Sequence, residues 1–212
     1  MKTPLYPVHL ALGARMVNFA GWDMPLQYSG ILAEHLHTRT VASLFDTCHM
    51  GEFELRGASA ADDLERLLTC RIKSLDVGQC RYGYLLNESG GVLDDVICFR
   101  LAPDHFMLVV NAGPRDGDRR WIRDRLSAHT AFEDVSDALA KLDVQGPATR
   151  REMEQAWGIR LPELGYFRFA RLRVGDLDLV ISRTGYTGEF GYELFFEAAR
   201  APEVWDRLTA RS

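Results

Sequence analysis

Three stretches interrupt otherwise apolar strands with groups that can bind a ligand or move a proton. In Leu86-Asn87-Glu88-Ser89-Gly90-Gly91-Val92-Leu93-Asp94-Asp95-Val96-Ile97, two adjacent carboxylates stand at the start of an apolar run. Neighbouring side chains on a strand face opposite ways, so one can meet solvent while the other meets the core or a pocket. A carboxylate turned inward must find a donor, and it is a natural acceptor for a ligand N–H. The plainer alternative is a solvated hairpin shoulder. The second stretch, Val109-Val110-Asn111-Ala112-Gly113, ends on an amide with two donors and an acceptor. That suits a heterocycle edge, or equally a turn or helix cap. The third runs from Ser182 to Glu193, with glycines at 185, 188 and 191 that allow close backbone approach. A carboxylate such as Glu193 can pair with the N–H and amino edge of a pterin or guanine-like ring, and a ring such as Tyr186 can stack on it. A tight hairpin loop with an exposed, ion-paired glutamate is the alternative there.

Other chemistries fit less well. Cys48, Cys70, Cys80 and Cys98 lack metal-ribbon or redox spacing, so no metal is expected. Cys48 and His49 are adjacent and on a strand would point apart, which disfavours a thiolate–imidazole pair. No Gly-x-Gly-x-x-Gly joins a strand to a helix and no Gly-Lys-Ser/Thr occurs, which disfavours dinucleotide and P-loop folds. The formal net charge is −5, with 47% apolar and 26% charged residues, so neither nucleic acid nor a membrane is an expected partner. The Arg119, Arg120, Arg123 and Arg125 cluster reads as a solvated helix face. The opening residues resemble neither a signal peptide nor a presequence, and a cytoplasmic location is expected.

The elements that must carry these groups follow from periodicity. Helices are expected over 31–43, 60–69, 116–128, 148–157 and 201–210. Strands are expected over 49–56, 82–86, 92–101, 106–110, 142–146, 167–174, 177–183 and 192–196. The 106–110 strand should be central, and Gly21-Trp22-Asp23-Met24-Pro25 reads as a turn. Glu54-Leu55-Arg56-Gly57-Ala58 and Asp143-Val144-Gln145-Gly146-Pro147 echo each other as strand, glycine, helix. The expected class is therefore α+β, with two similar units of antiparallel sheet covered by helices. The units span residues 50–135 and 136–212, and residues 1–49 pack against the second.

Motifs in one order along the whole chain resemble the T-protein family of the glycine cleavage system. They include Thr3-Pro4-Leu5-Tyr6, Phe19-Ala20-Gly21-Trp22, Leu44-Phe45-Asp46 with His49-Met50-Gly51, and Leu86-Asn87-Glu88 with Gly90-Gly91. Asp94-Asp95, Val109-Val110-Asn111-Ala112, Val144-Gln145-Gly146-Pro147 and Ser182 through Glu189 complete the series. Cys48 and Phe190 stand where that family usually has Ser and Asp.

The resemblance implies a folate-binding fold and an aminomethyltransferase. Its reaction takes an aminomethyl group from the lipoyl arm of lipoylated H-protein, releases ammonia and forms 5,10-methylenetetrahydrofolate from tetrahydrofolate. It implies Asp95 and Asn111 beside the reacting atoms, and Met50, Tyr82, Val110, Tyr186 and Glu193 around tetrahydrofolate. Asp95 is preferred over Asp94 from its register with Tyr82. The family's arginine motif and C-terminal β-barrel domain are expected to be absent from this chain. A folate-binding module without transfer chemistry and a tetrahydrofolate-dependent demethylase are the competing expectations.

Overall fold

A computed structural model describes residues 1–210. In chain order the elements are α1 (Tyr6–Ala11), β1 (Arg15–Phe19), β2 (Trp22–Gln27), α2 (Ile31–Thr40), β3 (Ser43–Asp46), β4 (Gly51–Arg56) and α3 (Ala60–Leu67). Then come β5 (Cys80–Leu86), β6 (Val92–Ala102), β7 (His105–Val110), α4 (Arg115–Arg123) and β8 (Ala131–Asp134). The chain continues through β9 (Leu139–Gln145), α5 (Thr149–Trp157), β10 (Phe169–Val174), β11 (Leu177–Ser182), β12 (Gly191–Glu197) and α6 (Ala201–Thr209). Two compact units result, one of Met50–Asp137 and one of Met1–His49 together with Ala138 onward.

In the unit Met50–Asp137 the strands form one antiparallel sheet in the order β5-β6-β7-β4-β8. The all-apolar centre of β7 lies third of five, as its sequence requires. Alternate residues of the strands (Phe53, Leu55, Val96, Cys98, Phe106 and Leu108) turn to one face, where they meet Ala60 and Leu64 of α3 and Ile122 of α4. Each large apolar side chain so buried contributes roughly 1.5–3 kcal/mol.

The other unit repeats the plan. Its sheet is antiparallel in the order β10-β11-β12-β9-β3. Leu142, Val144, Leu179, Ile181 and Leu194 pack with Met153 and Trp157 of α5 and Val204 and Trp205 of α6. In both units the chain runs strand, helix, three-strand meander, helix. They differ in the edge strand. β8 follows α4 and pairs with β4, whereas β3 reaches the edge of the second sheet from well before β9. Gly57 and Gly146 leave β4 and β9 at φ +131° and +141°. A Cβ at Gly146 would stand 2.5 Å from the Val41 carbonyl oxygen and 2.6 Å from Ala42 Cα, so the sequence echo marks two turns that only glycine fits.

Several boundaries differ from the sequence expectation. Trp22-Asp23-Met24-Pro25 is not a turn but the start of β2. The reversal lies one step earlier, at Ala20 (φ 52°) and Gly21 (φ 85°), which bring Phe19 opposite Trp22. Two successive left-handed residues match the twist of a hairpin, and a two-stranded ribbon tolerates Pro25. The helix expected over 31–43 stops at Thr40, because residues 43–46 pair with β9 as β3. Ile31, Leu32 and Leu36 are exposed on it. The helix expected over 116–128 stops at Arg123. Beyond it Asp63 Oδ2 accepts from the Ser127 backbone N–H (3.0 Å), Ser127 Oγ (2.8 Å) and Thr130 Oγ1 (2.6 Å), and this holds the segment as a loop. Cys48 and His49 lie in a turn after β3 rather than on a strand; the Cys48 N–H donates to Asp46 Oδ1 at 2.9 Å.

Candidate functional site

Each unit carries one polar cluster on the sheet face turned away from its helices. In the unit Met50–Asp137 the cluster grows from the β5–β6 register, which sets Tyr84 opposite Asp95 and Tyr82 opposite Ile97. Period-two alternation then places Tyr82, Tyr84 and Asp95 on one face and sends Asp94 the other way. Asp95 is exposed, and Asp94 is buried at 6%. The tyrosine rings meet edge to face at 5.4 Å. A hydrogen bond with Tyr84, then partial burial and the nearby Asp95 carboxylate, hold the Tyr82 phenol above the ordinary tyrosine value, so it remains a donor.

Asn111, just past β7, ties the two aspartates together. Its backbone N–H donates to Asp94 Oδ2 at 2.8 Å, and its Nδ2 donates to Asp94 Oδ1 (2.8 Å), Asp95 O (3.1 Å) and Asp95 Oδ1 (3.0 Å). The inward carboxylate thus finds its donor, and the outward one is oriented by the same amide. Met50 lies half-buried immediately before β4. The Val110 side chain is fully buried in the core against α3 and α4, so only its main chain borders this cluster. The structure therefore gathers Tyr82, Asp95 and Asn111. It adds Tyr84, whose place two residues from Tyr82 is a readable signal.

In the other unit the cluster lies on β9 and β12, where Glu193 is opposite Asp143. Lys141 Nζ lies 2.6 Å from Asp143 Oδ1 and 2.8 Å from Glu193 Oε1, with all three side chains almost wholly buried. Thr47 Oγ1 donates to Asp143 Oδ1 at 2.9 Å, and Thr184 Oγ1 donates a short hydrogen bond to Glu193 Oε2. Burial works against the Lys141 charge, but Asp143 and then Glu193 hold its pKa above the lysine value. Burial, opposed by Lys141 and reinforced by Glu193, raises the Asp143 carboxyl to about 6. One cation thus faces two carboxylates, a surplus of acceptor capacity that suits a ligand edge rich in N–H.

Tyr186 is 80% exposed on the neighbouring loop. Gln145 Nε2 donates to Thr184 O at 3.1 Å and fastens that loop, and at Gly185, φ +150°, any Cβ would strike the same Gln145 amide. Phe190 packs edge to face on Tyr192 at 5.3 Å, with the Arg183 guanidinium 4.6 Å from its centroid. It is an anchor of the loop rather than a polar contact. Lys141 and Asp143 are not among the residues expected from the sequence, although two charges two residues apart within an apolar strand are a legible sign of a buried pair.

Deeper in this unit, Asp46 Oδ2 lies 2.8 Å from His9 Nε2 and accepts from Thr3 Oγ1 at 2.6 Å, and Tyr28 Oη lies 2.8 Å from His9 Nδ1. Burial pushes the Asp46 carboxyl up, but the bonds from His9, Thr3 and the Cys48 N–H outweigh it and leave its pKa lowered. A lowered folded-state pKa contributes stability that is present above the unfolded value and lost as pH falls through the folded one. Asp46→Asn is therefore expected to cost about 2–3 kcal/mol at pH 7, with the deficit shrinking as pH drops below about 4. Urea unfolding at pH 7 and pH 3 checks this; an equal deficit at both values would mean the Asp46 charge contributes nothing. The Cys48 thiol is buried and donates to Lys141 O at 3.3 Å, which leaves it placed as packing rather than as a nucleophile. Among the described residues, no helix is long and apolar enough to cross a membrane.

The fold recurs in solved structures. The glycine cleavage system aminomethyltransferase T of Bartonella henselae matches with a TM-score of 0.91 at 38% identity, over 98% of this chain and 56% of that one. A heterotetrameric sarcosine oxidase from Corynebacterium sp. U-96 matches with a TM-score of 0.64 at 15% identity, over 98% and 92%, a likeness of fold alone. The family model described as the GCVT N-terminal domain matches residues 5–212, and the chain belongs to that family. Curated relatives described as aminomethyltransferases include one from Rubrobacter xylanophilus, 45% identical over 98% of this chain and 56% of its own length. Another, from Thermotoga sp. strain RQ2, is 38% identical over 98% and 57%. The chain thus spans a little over half the length of these relatives.

Proposed function

We propose that the chain is the tetrahydrofolate-binding part of a cytoplasmic aminomethyltransferase of glycine cleavage, with lipoylated H-protein as its partner. Family membership and the aminomethyltransferase relatives support the reaction class. The observation that carries the reading at residue level is the exposed Asp95 carboxylate, steered by Asn111 and flanked by Tyr82 and Tyr84.

The groups present fit a reduced pterin. Its N–H and amino groups need acceptors and its ring needs a flat surface; the Met50–Asp137 unit offers Asp95 with Tyr82, and the other unit, taken by itself, offers Glu193 with Tyr186. Tetrahydrofolate N5 would attack the methylene carbon held between lipoyl sulfur and nitrogen, breaking its bond to the amine, and N10 would then take the place of the lipoyl sulfur, which leaves as the dihydrolipoyl thiol. Asp95 would orient N5 and stabilise the iminium-like charge as ammonia leaves. No covalent bond to the protein is required. Glu193 would hold the pterin edge, with Lys141 and Thr184 fixing its two oxygens.

The test supplies tetrahydrofolate with either aminomethyl-loaded, lipoylated H-protein or dimethylated amines. The reading expects ammonia release with the first and no demethylation with the second. Demethylation without ammonia release would move the chain to a different substrate class.

A further inference from the structure

We propose that Asp118 is a positioning residue whose carboxyl keeps a proton and donates it to Asp94, so that Asp94 holds Asn111 in the orientation from which its amide reaches Asp95. This rests on the reading of Asp95 and Asn111 as groups at the reacting atoms.

Asp118 is 1% exposed on α4. Its Oδ2 is buried and finds no donor in the structure. Asp94, itself an inward-facing acid buried at 6%, turns to the same helix-covered face of the sheet as Val96 and Cys98, against which Ile122, one turn after Asp118 on α4, packs, and Asp94 is among the groups that act on the Asp118 carboxyl. Two acceptors cannot bond each other unless one carries a proton, and two adjacent buried anions would repel strongly. The proton belongs on Asp118 by donor count. Asp94 already accepts two N–H bonds from Asn111, one to each oxygen. Asp118 accepts none of these. Burial first, and the Asp94 charge second, raise the Asp118 pKa to about 8, in the same direction.

The consequence is a four-residue relay. The Asp118 hydroxyl fixes the rotamer of Asp94. Asp94 grips the backbone N–H and the side-chain amide of Asn111 together, which locks that amide plane. The locked amide donates to Asp95 Oδ1 at 3.0 Å and sets the direction of the exposed carboxylate. Loss of the Asp118 donor would leave Asp94 free to turn and Asn111 free to follow.

The experiment uses the 212-residue chain itself, in two variants. Asp118→Asn keeps an N–H donor to Asp94 without the acid. Asp118→Leu removes the donor. Infrared difference spectra of wild type against Asp118→Asn at pH 7 are expected to show the carbonyl stretch of a buried, protonated carboxylic acid in the wild type only. In ¹⁵N-labelled protein, the Asn111 side-chain amide protons are expected to exchange slowly in the wild type and in Asp118→Asn. In Asp118→Leu they are expected to exchange about tenfold faster or more, the factor that one lost hydrogen bond supplies. Absence of the acid band, or Asp118→Asn exchanging as fast as a fully solvated amide, would overturn the proposal. So would unchanged exchange in a folded Asp118→Leu. If Asp118→Leu does not fold, the infrared band and the Asp118→Asn exchange decide the matter. Added tetrahydrofolate that leaves the Asn111 amide unshifted would count against the folate reading and not against the relay.

Discussion

Lys141→Met is expected to lower stability by about 3–5 kcal/mol, the scale for removing one partner of a buried ion pair. The Lys141 side chain is 1% exposed, and its loss leaves the Asp143 and Glu193 carboxylates in the core with two threonine hydroxyls between them. The substitution nearly conserves volume, so packing should contribute little. The double variant Lys141→Met/Asp143→Leu should recover part of the loss, because one stranded charge goes with its partner. Urea unfolding followed by circular dichroism reads both. A single variant within 0.5 kcal/mol or so of wild type, the usual range for a surface change, would mean that water or a shifted proton already neutralises the pair.

Asp95→Asn is expected to lower aminomethyl transfer by about 100-fold or more, the scale for losing one preorganised charge at a developing cation. The measurement belongs in a form of the enzyme with measurable turnover. Tetrahydrofolate affinity should stay within a few-fold, since the amide keeps an oxygen acceptor and Asn111 can still donate to it. An equal fall in affinity would place Asp95 in ground-state binding. Turnover near the original rate would remove it from the chemistry.

Both expectations trace to side chains whose facing is set by strand period, and that much was legible in the sequence. Tyr82 and Asp95 share a face because β5 and β6 close through a short loop, and the Asp94-Asp95 step could only send the two carboxylates opposite ways. The glycine echo at Gly57 and Gly146 was legible because it marks a conformation that only glycine reaches easily. What was not legible depends on distant partners. β3 is a strand only because β9 offers it an edge, and α4 ends early only because Asp63 claims Ser127 and Thr130. Trp22 through Pro25 looked like a turn because Pro and Asp punctuate it, whereas the true reversal rested on the less conspicuous Ala20-Gly21. Asp118 gave no signal, since an acid in the first turn of a helix is ordinary and only the tertiary fold buries it.

Titration of tetrahydrofolate into this chain by calorimetry, beside its Glu193→Gln and Asp95→Asn forms, tests the account most directly. It predicts saturable one-to-one binding, weakened about tenfold or more when the Glu193 charge is removed (the worth of one charge-assisted hydrogen bond) and little changed in Asp95→Asn. No saturable heat with the folded wild-type chain, or a Glu193→Gln form that is folded and binds as tightly, would contradict it.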